Sequence, residues 1–177
     1  MDERVSYWLI PAPPEKAHFL EIILGLAKRF DAPVFEPHLT IYSTPLAASE
    51  DPKAVLKKAT RKIRPLMLQT MGVAHSTRFT KTLFVEFAPD DALTTLSEEL
   101  RRRSAERADY VLNPHLSLIY APLTAAITDK LARDVSIPML VRFNAVKAII
   151  SRGAITSRED VETWRVVAEG KLLEPKI

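Results

Sequence analysis

The chain contains 177 residues, of which 47% are hydrophobic and 27% charged, and its formal net charge is +3. This composition is typical of a soluble globular protein that buries a core of its own. The absence of cysteine excludes disulfides and thiol nucleophiles, and no apolar stretch approaches the roughly 20 residues that cross a bilayer.

Hydrophobic periodicity and the positions of proline predict alternating strands and helices. Strands are predicted at residues 5–10, 34–42, 66–74, 82–87, 141–151 and 161–168, with one more at the second histidine motif described below. Helices are predicted from Pro13 to just before Asp31, after a cap at residues 49–51, and over residues 91–107 and 124–133, with a polar turn at 158–160. The first helix is predicted to bury Phe19, Leu20, Ile23, Leu24 and Ala27.

A short segment occurs twice, as Pro37-His38-Leu39-Thr40-Ile41 and as Pro114-His115-Leu116-Ser117-Leu118. The alternation has the period of a half-buried strand, so histidine and hydroxyl share one face and the aliphatic residues share the other. His75 is also followed by a hydroxyl residue two positions later, but it lacks the proline and the apolar alternation.

The two histidines are 77 positions apart, and the order strand, helix, histidine strand, helix occurs in both halves of the chain. We interpret this as the duplication of a half-domain. The sequence therefore predicts a single domain over residues 1–177, built from two pseudo-symmetric lobes with a shared cleft.

Two imidazoles and two hydroxyls in one cleft are suited to acid/base chemistry on a phosphate ester. One histidine can accept a proton from water while the other protonates the departing oxygen on the opposite side of phosphorus. Thr40 and Ser117 can donate hydrogen bonds to the non-bridging oxygens.

Competing chemistries fit the sequence less well. Apart from Glu36, neither histidine strand contains a carboxylate, so we expect no metal. The four glycines form neither a nucleophile elbow nor a phosphate-binding loop, so we expect no nucleotide cofactor.

The paired motifs resemble those of the 2H phosphoesterase superfamily, and within it the chain is most similar to plant-type cyclic phosphodiesterases. The likeness covers nearly the whole chain, including Tyr7-Trp8-Leu9-Ile10-Pro11, both histidine motifs, Ile119-Tyr120 and Glu162-Thr163-Trp164-Arg165-Val166-Val167. Plant-type members carry cysteines, so any control by a disulfide is not expected here.

The resemblance implies an α+β fold of two lobes, each with an antiparallel sheet facing a central cleft and helices outside. It implies metal-independent opening of nucleoside 2′,3′-cyclic phosphates, or of ADP-ribose 1″,2″-cyclic phosphate, with phosphate left on the 2′-type oxygen. It also implies that His115 is the base that activates water and that His38 is the acid.

Other residues near the motifs leave alternatives open. Tyr120 lies at an odd offset from His115, so it either contacts the base or ribose after a strand end or packs in the core. Trp8 lies either in the cleft, against the ligand, or in the core. Lys81 is either a phosphate contact or an exposed, solvated side chain.

We expect a cytoplasmic monomer that acts on a small-molecule cyclic nucleotide and does not associate with membranes. The alternative is a 2H protein that acts on or binds RNA 2′,3′-cyclic phosphate ends. The mild net charge disfavours that alternative, and so does the lack of aromatic residues interleaved with basic ones. The basic clusters at residues 57–64 and 101–107 are interpreted as solvated helix faces, since the predicted helices there also carry acids. A binding module without catalysis is disfavoured because both motifs are intact.

Overall fold

The computed structural model describes residues 3–174, which form seven strands and five helices. The strands are β1 (Glu3–Pro11), β2 (Leu39–Pro45), β3 (Leu66–His75), β4 (Leu83–Phe87), β5 (His115–Ile119), β6 (Leu140–Arg152) and β7 (Arg165–Lys171). The helices are α1 (Pro13–Phe30), α2 (Pro52–Thr60), α3 (Asp91–Arg103), α4 (Ala125–Asp134) and α5 (Arg158–Glu162), and one turn of 3₁₀ helix covers Phe79–Lys81.

The strands pair in the order β1-β2-β5-β4-β3-β6-β7, and β6 pairs with β1 as well. Every pairing is antiparallel. The start of β6 pairs with β3, while its remainder lies between β1 and β7. This strand therefore joins a lobe of β2, β1, β6 and β7 to a lobe of β5, β4 and β3, and confirms the predicted α+β fold with antiparallel sheets.

The lobes also meet where Leu39 of β2 pairs with Leu116 of β5. These are the leucines of the two histidine motifs, so the pairing places the motifs next to each other. The motif aliphatic residues Leu39, Ile41, Leu116 and Leu118 are all fully buried in the core. Their burial directs the residues between them away from the core.

Helix α1 begins at two prolines and is followed by the capping residue Asp31, which has a φ of 48°. Proline is tolerated at the start of a helix because its missing N–H has no partner there. Phe19, Ile23 and Ala27 are buried as predicted, together with Leu26. Leu24 was expected on the buried face, but its side chain points to solvent and is 47% exposed.

Several element boundaries differ from the sequence prediction for local reasons. The helix predicted over residues 91–107 ends at Arg103, because the backbone becomes extended at Ser104. The first histidine strand begins at Leu39 instead of residue 34, because Pro37 cannot donate a backbone hydrogen bond to a neighbouring strand. The predicted polar turn at 158–160 is helix α5, which Ser157 and Asp160 cap reciprocally. The last strand accordingly begins at Arg165. Within residues 3–174, no helix has the length and apolar character needed to span a membrane.

Candidate active site

A cavity of about 260 Å³ lies between the two lobes. Its lining comprises two imidazoles, seven hydroxyl-bearing side chains, two indoles and two isoleucines: His38 and His115; Ser6, Thr40, Thr80, Tyr110, Ser117, Tyr120 and Ser151; Trp8 and Trp164; Ile149 and Ile155. The cavity thus brings together Trp8, His38, Thr40, His115, Ser117 and Tyr120, while Lys81, the seventh residue considered from the sequence, does not line it. Its volume is near the lower end for small-molecule sites, about 300 Å³.

Both imidazoles are held in the same way. His38 Nδ1 donates to the backbone carbonyl of Glu36 at 2.6 Å, and His115 Nδ1 donates to that of Asn113 at 2.7 Å. In each motif the accepting residue precedes a proline, which favours an extended backbone and directs its carbonyl toward the histidine two positions later. Because Nδ1 holds a proton in both rings, Nε2 is the nitrogen left to exchange protons with a ligand.

His38 is enclosed by aromatic rings. Its imidazole stacks on Trp8 with ring centroids 3.6 Å apart and an interplanar angle of 10°. The rings of Phe35 and Trp164 present edges to it, at centroid distances of 6.1 and 6.0 Å. The residue is only 6% exposed. The pKa of His38 is lowered to about 4, chiefly by burial and also by the nearby His115, against the opposing effect of the hydrogen bond to the Glu36 carbonyl.

His115 lies in a more open environment on the other lobe. Its ring meets that of Phe84 edge to face at 5.5 Å, and the residue is half-buried. Burial lowers its pKa, the Asn113 carbonyl opposes this, and the positive charge of Lys81 adds to the lowering. Lys81 itself lies outside the cavity lining, with Nζ 4.4 Å from the centroid of the Phe84 ring.

The two hydroxyl residues of the motifs are held by different hydrogen bonds. The Ser117 hydroxyl donates to the backbone carbonyl of Thr80 at 2.8 Å. Thr40 is half-buried in the cavity wall, where its carbonyl accepts a hydrogen bond from the Tyr110 phenol at 3.1 Å. The Ser117 hydroxyl must therefore rotate away from Thr80 before it can donate to a ligand.

The model of the cyclic phosphodiesterase-like protein family matches residues 1–172. The chain belongs to this family, within the 2H phosphoesterases. The 2H superfamily predicted from the paired motifs is therefore confirmed, while the likeness to plant-type members stays a prediction. No curated protein matches the sequence significantly.

Solved structures support the 2H fold over almost the full chain. E. coli LigT is 18% identical with a TM-score of 0.62, covering 98% of this chain and 100% of its own. A structure described as a phosphoesterase is 16% identical with a TM-score of 0.63, covering 97% and 99%. The protein TT0787 of Thermus thermophilus is 16% identical with a TM-score of 0.58, covering 96% and 97%. At these identities the likeness concerns the fold.

The sequence left open whether Trp8 and Tyr120 lie in the cleft or in the core, and in this 2H phosphoesterase both descriptions apply. Each residue lines the cavity and is nevertheless buried, with 6% and 3% exposure. One face of Trp8 is covered by His38, and one face of Tyr120 is covered by Phe35 at 4.0 Å. Both rings therefore form the cavity wall and also pack against other aromatic residues.

Trp164 is a site residue that the sequence analysis did not single out. It meets Trp8, His38 and Tyr120 edge to face at 5.0, 6.0 and 5.9 Å, so it links the aromatic residues on the two sides of the cavity. It occurs within one of the segments that resemble the family. Its position directly before an exposed strand gave no periodic signal that would place it in the cleft.

Glu36 contributes to the site through both its backbone and its side chain. Its carboxylate forms ion pairs with Lys16 of α1 and, at 2.8 Å, with Lys147 of β6. Partial burial by itself raises the pKa of this carboxyl, but hydrogen bonds from Lys147 and Lys16 hold it below its ordinary value. The ion pairs fix the residue whose carbonyl orients His38.

The chemistry of the donor set does not suit a resident metal ion. Within the part of the chain that the structure describes, no three His, Cys, Asp or Glu side chains are grouped so that they could hold a metal. The carboxylate nearest the site in sequence, Glu36, is engaged by two lysines.

Proposed function

We propose that this protein is a metal-independent cyclic phosphodiesterase that opens nucleoside 2′,3′-cyclic phosphates, or ADP-ribose 1″,2″-cyclic phosphate. The phosphate remains on the 2′-type oxygen, and the enzyme acts as a cytoplasmic monomer on a small-molecule substrate. The observation that carries this proposal is the pairing of His38 and His115 in one cavity, each with Nδ1 held by a carbonyl.

The reaction needs water and the two imidazoles. One neutral Nε2 takes a proton from water as the water oxygen attacks phosphorus. The bond from phosphorus to the departing oxygen breaks, and the protonated Nε2 of the other histidine supplies the proton that this oxygen takes up. Hydrogen bonds from Thr40 and Ser117 to the non-bridging oxygens stabilise the charge that develops there.

The assignment of the two roles rests on opposing arguments. The family resemblance makes His115 the base and His38 the acid. The ligand-free environment favours the reverse, because a His38 pKa of about 4 keeps that imidazole unprotonated at neutral pH and ready to accept a proton. A bound phosphodiester anion raises the pKa of both imidazoles, since a nearby opposite charge favours the protonated form.

The ligands of a protein of the same fold support a phosphorylated nucleoside as the substrate. E. coli LigT has been crystallised in complex with 3′-AMP, NADP+, phosphate and ATP. The lining of the present cavity, as far as the structure describes the chain, includes neither lysine nor arginine. That composition suits the single charge of a cyclic phosphodiester better than a long polyanionic backbone.

The proposal is tested with purified protein treated with chelator. We expect it to convert adenosine 2′,3′-cyclic phosphate to the 2′-monophosphate, with the isomer identified by ³¹P NMR. An oligonucleotide that ends in a 2′,3′-cyclic phosphate serves as the comparison substrate. Formation of the 3′-monophosphate, turnover of the oligonucleotide alone, or a requirement for added divalent metal would each contradict the proposal.

A further inference from the structure

Arg4 lies on the face of β1 that forms the wall of the histidine cavity. Arg4, Ser6 and Trp8 alternate along the strand with Val5 and Tyr7, which are fully buried in the core. At about 3.3 Å per residue, the Arg4 backbone is about 13 Å from that of Trp8. A half-buried cation therefore lies on the same surface as the stacked imidazole, beyond the outer end of the cavity.

Hydrogen bonds connect the Arg4 guanidinium to the cavity wall. Nη2 lies 3.5 Å from the hydroxyl oxygen of Ser43 on the neighbouring strand, and that oxygen lies 2.9 Å from the hydroxyl oxygen of Ser6. Ser6 lines the cavity, as does Ser151, which pairs with Arg4 across β1 and β6. The arginine side chain thus crosses the strands toward Ser43 and approaches the ligand space.

Other cations near the cavity are already engaged. Lys147 is paired with Glu36, and Lys81 packs over the Phe84 ring. Two carboxylates line a neighbouring cavity together with Arg4, and neither forms an ion pair with it. Glu3 pairs with Arg165 at 2.8 Å, and Oε2 of Glu50 accepts a hydrogen bond from the Ala105 amide at 2.6 Å, while Glu50 Oε1 has no hydrogen-bond partner among the described residues. Arg4 thus contributes its positive charge, with two serine hydroxyls, to one end of a cavity whose own lining carries little charge.

Building on the proposed function, we propose that Arg4, Ser6 and Ser43 bind a second phosphoryl group of the substrate. A guanidinium presents several N–H donors in a plane and pairs well with phosphate oxygens. In a ribose whose neighbouring hydroxyls are closed into the cyclic phosphate, the C5 oxygen is the natural position for another phosphoryl group. The preferred substrates are therefore cyclic phosphates whose ribose carries a phosphoryl group on C5.

Two kinds of molecule carry both a cyclic phosphate and a phosphoryl group on the C5 oxygen. One is a small molecule of the ADP-ribose type, in which the C5 oxygen carries a pyrophosphate. The other is the terminal nucleotide of an RNA end. A simple nucleoside 2′,3′-cyclic phosphate lacks the second group and serves as the reference substrate.

The test compares kcat/KM on four substrates: adenosine 2′,3′-cyclic phosphate, its 5′-phosphorylated form, ADP-ribose 1″,2″-cyclic phosphate and an oligonucleotide with a 2′,3′-cyclic end. The wild type is expected to prefer the 5′-phosphorylated form over the reference substrate, and Arg4→Gln is expected to reduce that preference about tenfold. Arg133→Gln on α4, which removes the same charge from an exposed position, should leave the preference unchanged. Comparison of ADP-ribose 1″,2″-cyclic phosphate with the oligonucleotide shows for which kind of substrate Arg4 raises kcat/KM.

An equal preference in the wild type and in Arg4→Gln would overturn the proposal, and so would an equal loss in Arg133→Gln. Binding measurements separate this outcome from a failure of the proposed function. By calorimetry, adenosine 2′,5′-bisphosphate should bind the wild type about tenfold more tightly than the 2′-monophosphate, and Arg4→Gln should abolish the difference. This difference requires no turnover, and its absence from the wild type would also refute the second phosphate subsite.

Discussion

The imidazole of His38 lies flat against the indole of Trp8, with ring centroids 3.6 Å apart and planes within 10° of parallel. The stack has two opposing effects on protonation. It removes water from the imidazole, which disfavours the imidazolium, while the electron-rich indole face attracts a cation. Desolvation dominates, because the pKa of His38 is lowered to about 4. Trp8 therefore orients a histidine that is neutral in the ligand-free protein.

Replacing Trp8 is expected to raise the pKa of His38. In Trp8→Ala, water reaches the imidazole and the pKa should move toward the ordinary value of 6.5, as measured by NMR of the ring nitrogens. Trp8→Phe keeps an aromatic ring in place and should produce a smaller rise. A fall in the pKa of His38 in a folded Trp8→Ala variant would show that attraction to the indole outweighs desolvation.

The lowered pKa of His38 also predicts how stability depends on pH. Between pH 6.5 and about pH 4, the unfolded chain binds a proton at this position while the folded protein does not. The free energy of unfolding should therefore be lost as pH falls through this window. A shift of this size corresponds to about 3 kcal/mol from His38, measured by denaturant unfolding at several pH values.

His38→Gln is the matched control for that measurement, since glutamine is polar but does not titrate. This variant should show a shallower loss of stability between pH 6.5 and pH 4 than the wild type. His115, whose pKa is also lowered by burial, retains the same sign of dependence in the variant. Identical pH profiles for the two proteins would contradict the buried, neutral state of His38.

Removal of the motif hydroxyls should slow the reaction less than removal of a histidine. Thr40→Ala and Ser117→Ala are each expected to lower kcat about 10²-fold, the loss for one donor to a developing negative charge. Thr40→Ser keeps the hydroxyl and should retain most of the activity. Ser117→Ala also leaves the Thr80 carbonyl without this partner, so its unfolding should be followed in parallel. Wild-type kcat in Thr40→Ala would refute the role of Thr40.

The sequence predicted that the histidines and hydroxyls of the two motifs face one cleft, because strand alternation is a local property. Burial of Leu39 and Leu116 directs their neighbours into the cleft, and a period of two residues is enough to show this. The family resemblance supplied the antiparallel lobes. The extent of β6 across both lobes was not predicted, since strand pairing depends on distant residues.

The contacts of Phe35 and Trp164 with His38 could not be predicted from the sequence, because they also depend on residues outside the local strand pattern. Phe35 lies in a loop and Trp164 lies between α5 and β7, so neither follows a periodic pattern that indicates a cleft-facing position. The Trp164 ring reaches His38 because the chain returns to the first lobe at its C-terminal end, and the Phe35 ring does so through the irregular backbone between α1 and β2. The depressed pKa of His38 follows from that packing and could not be read from the motif.

The pH dependence of turnover should differ between free and substrate-bound protein. The profile of kcat/KM reports groups in the free protein, and burial lowers both histidine pKa values, so its maximum should lie on the acid side of pH 6.5. The profile of kcat should lie at higher pH, because a bound anion favours the imidazolium. Coincident profiles would contradict this electrostatic coupling.

The same pH profiles show which histidine is the base and which is the acid. The acid limb reports protonation of the base, and the alkaline limb reports loss of the proton from the acid. If His115 is the base, His115→Ala should erase the acid limb of the residual activity. Loss of the alkaline limb instead would reverse the assignment and make His38 the base.

Turnover of adenosine 2′,3′-cyclic phosphate by single histidine variants tests the two-histidine mechanism most directly. In chelator-treated protein, His38→Ala and His115→Ala should each lower kcat/KM by about 10² to 10⁴-fold, because each removes half of the proton transfer. His75→Ala is the matched control, since His75 pairs with Asp129 at 2.7 Å and does not line the cavity. Its activity should equal that of the wild type. Near-normal activity in either His38→Ala or His115→Ala, or an equal loss in a folded His75→Ala, would contradict catalysis by this pair of histidines.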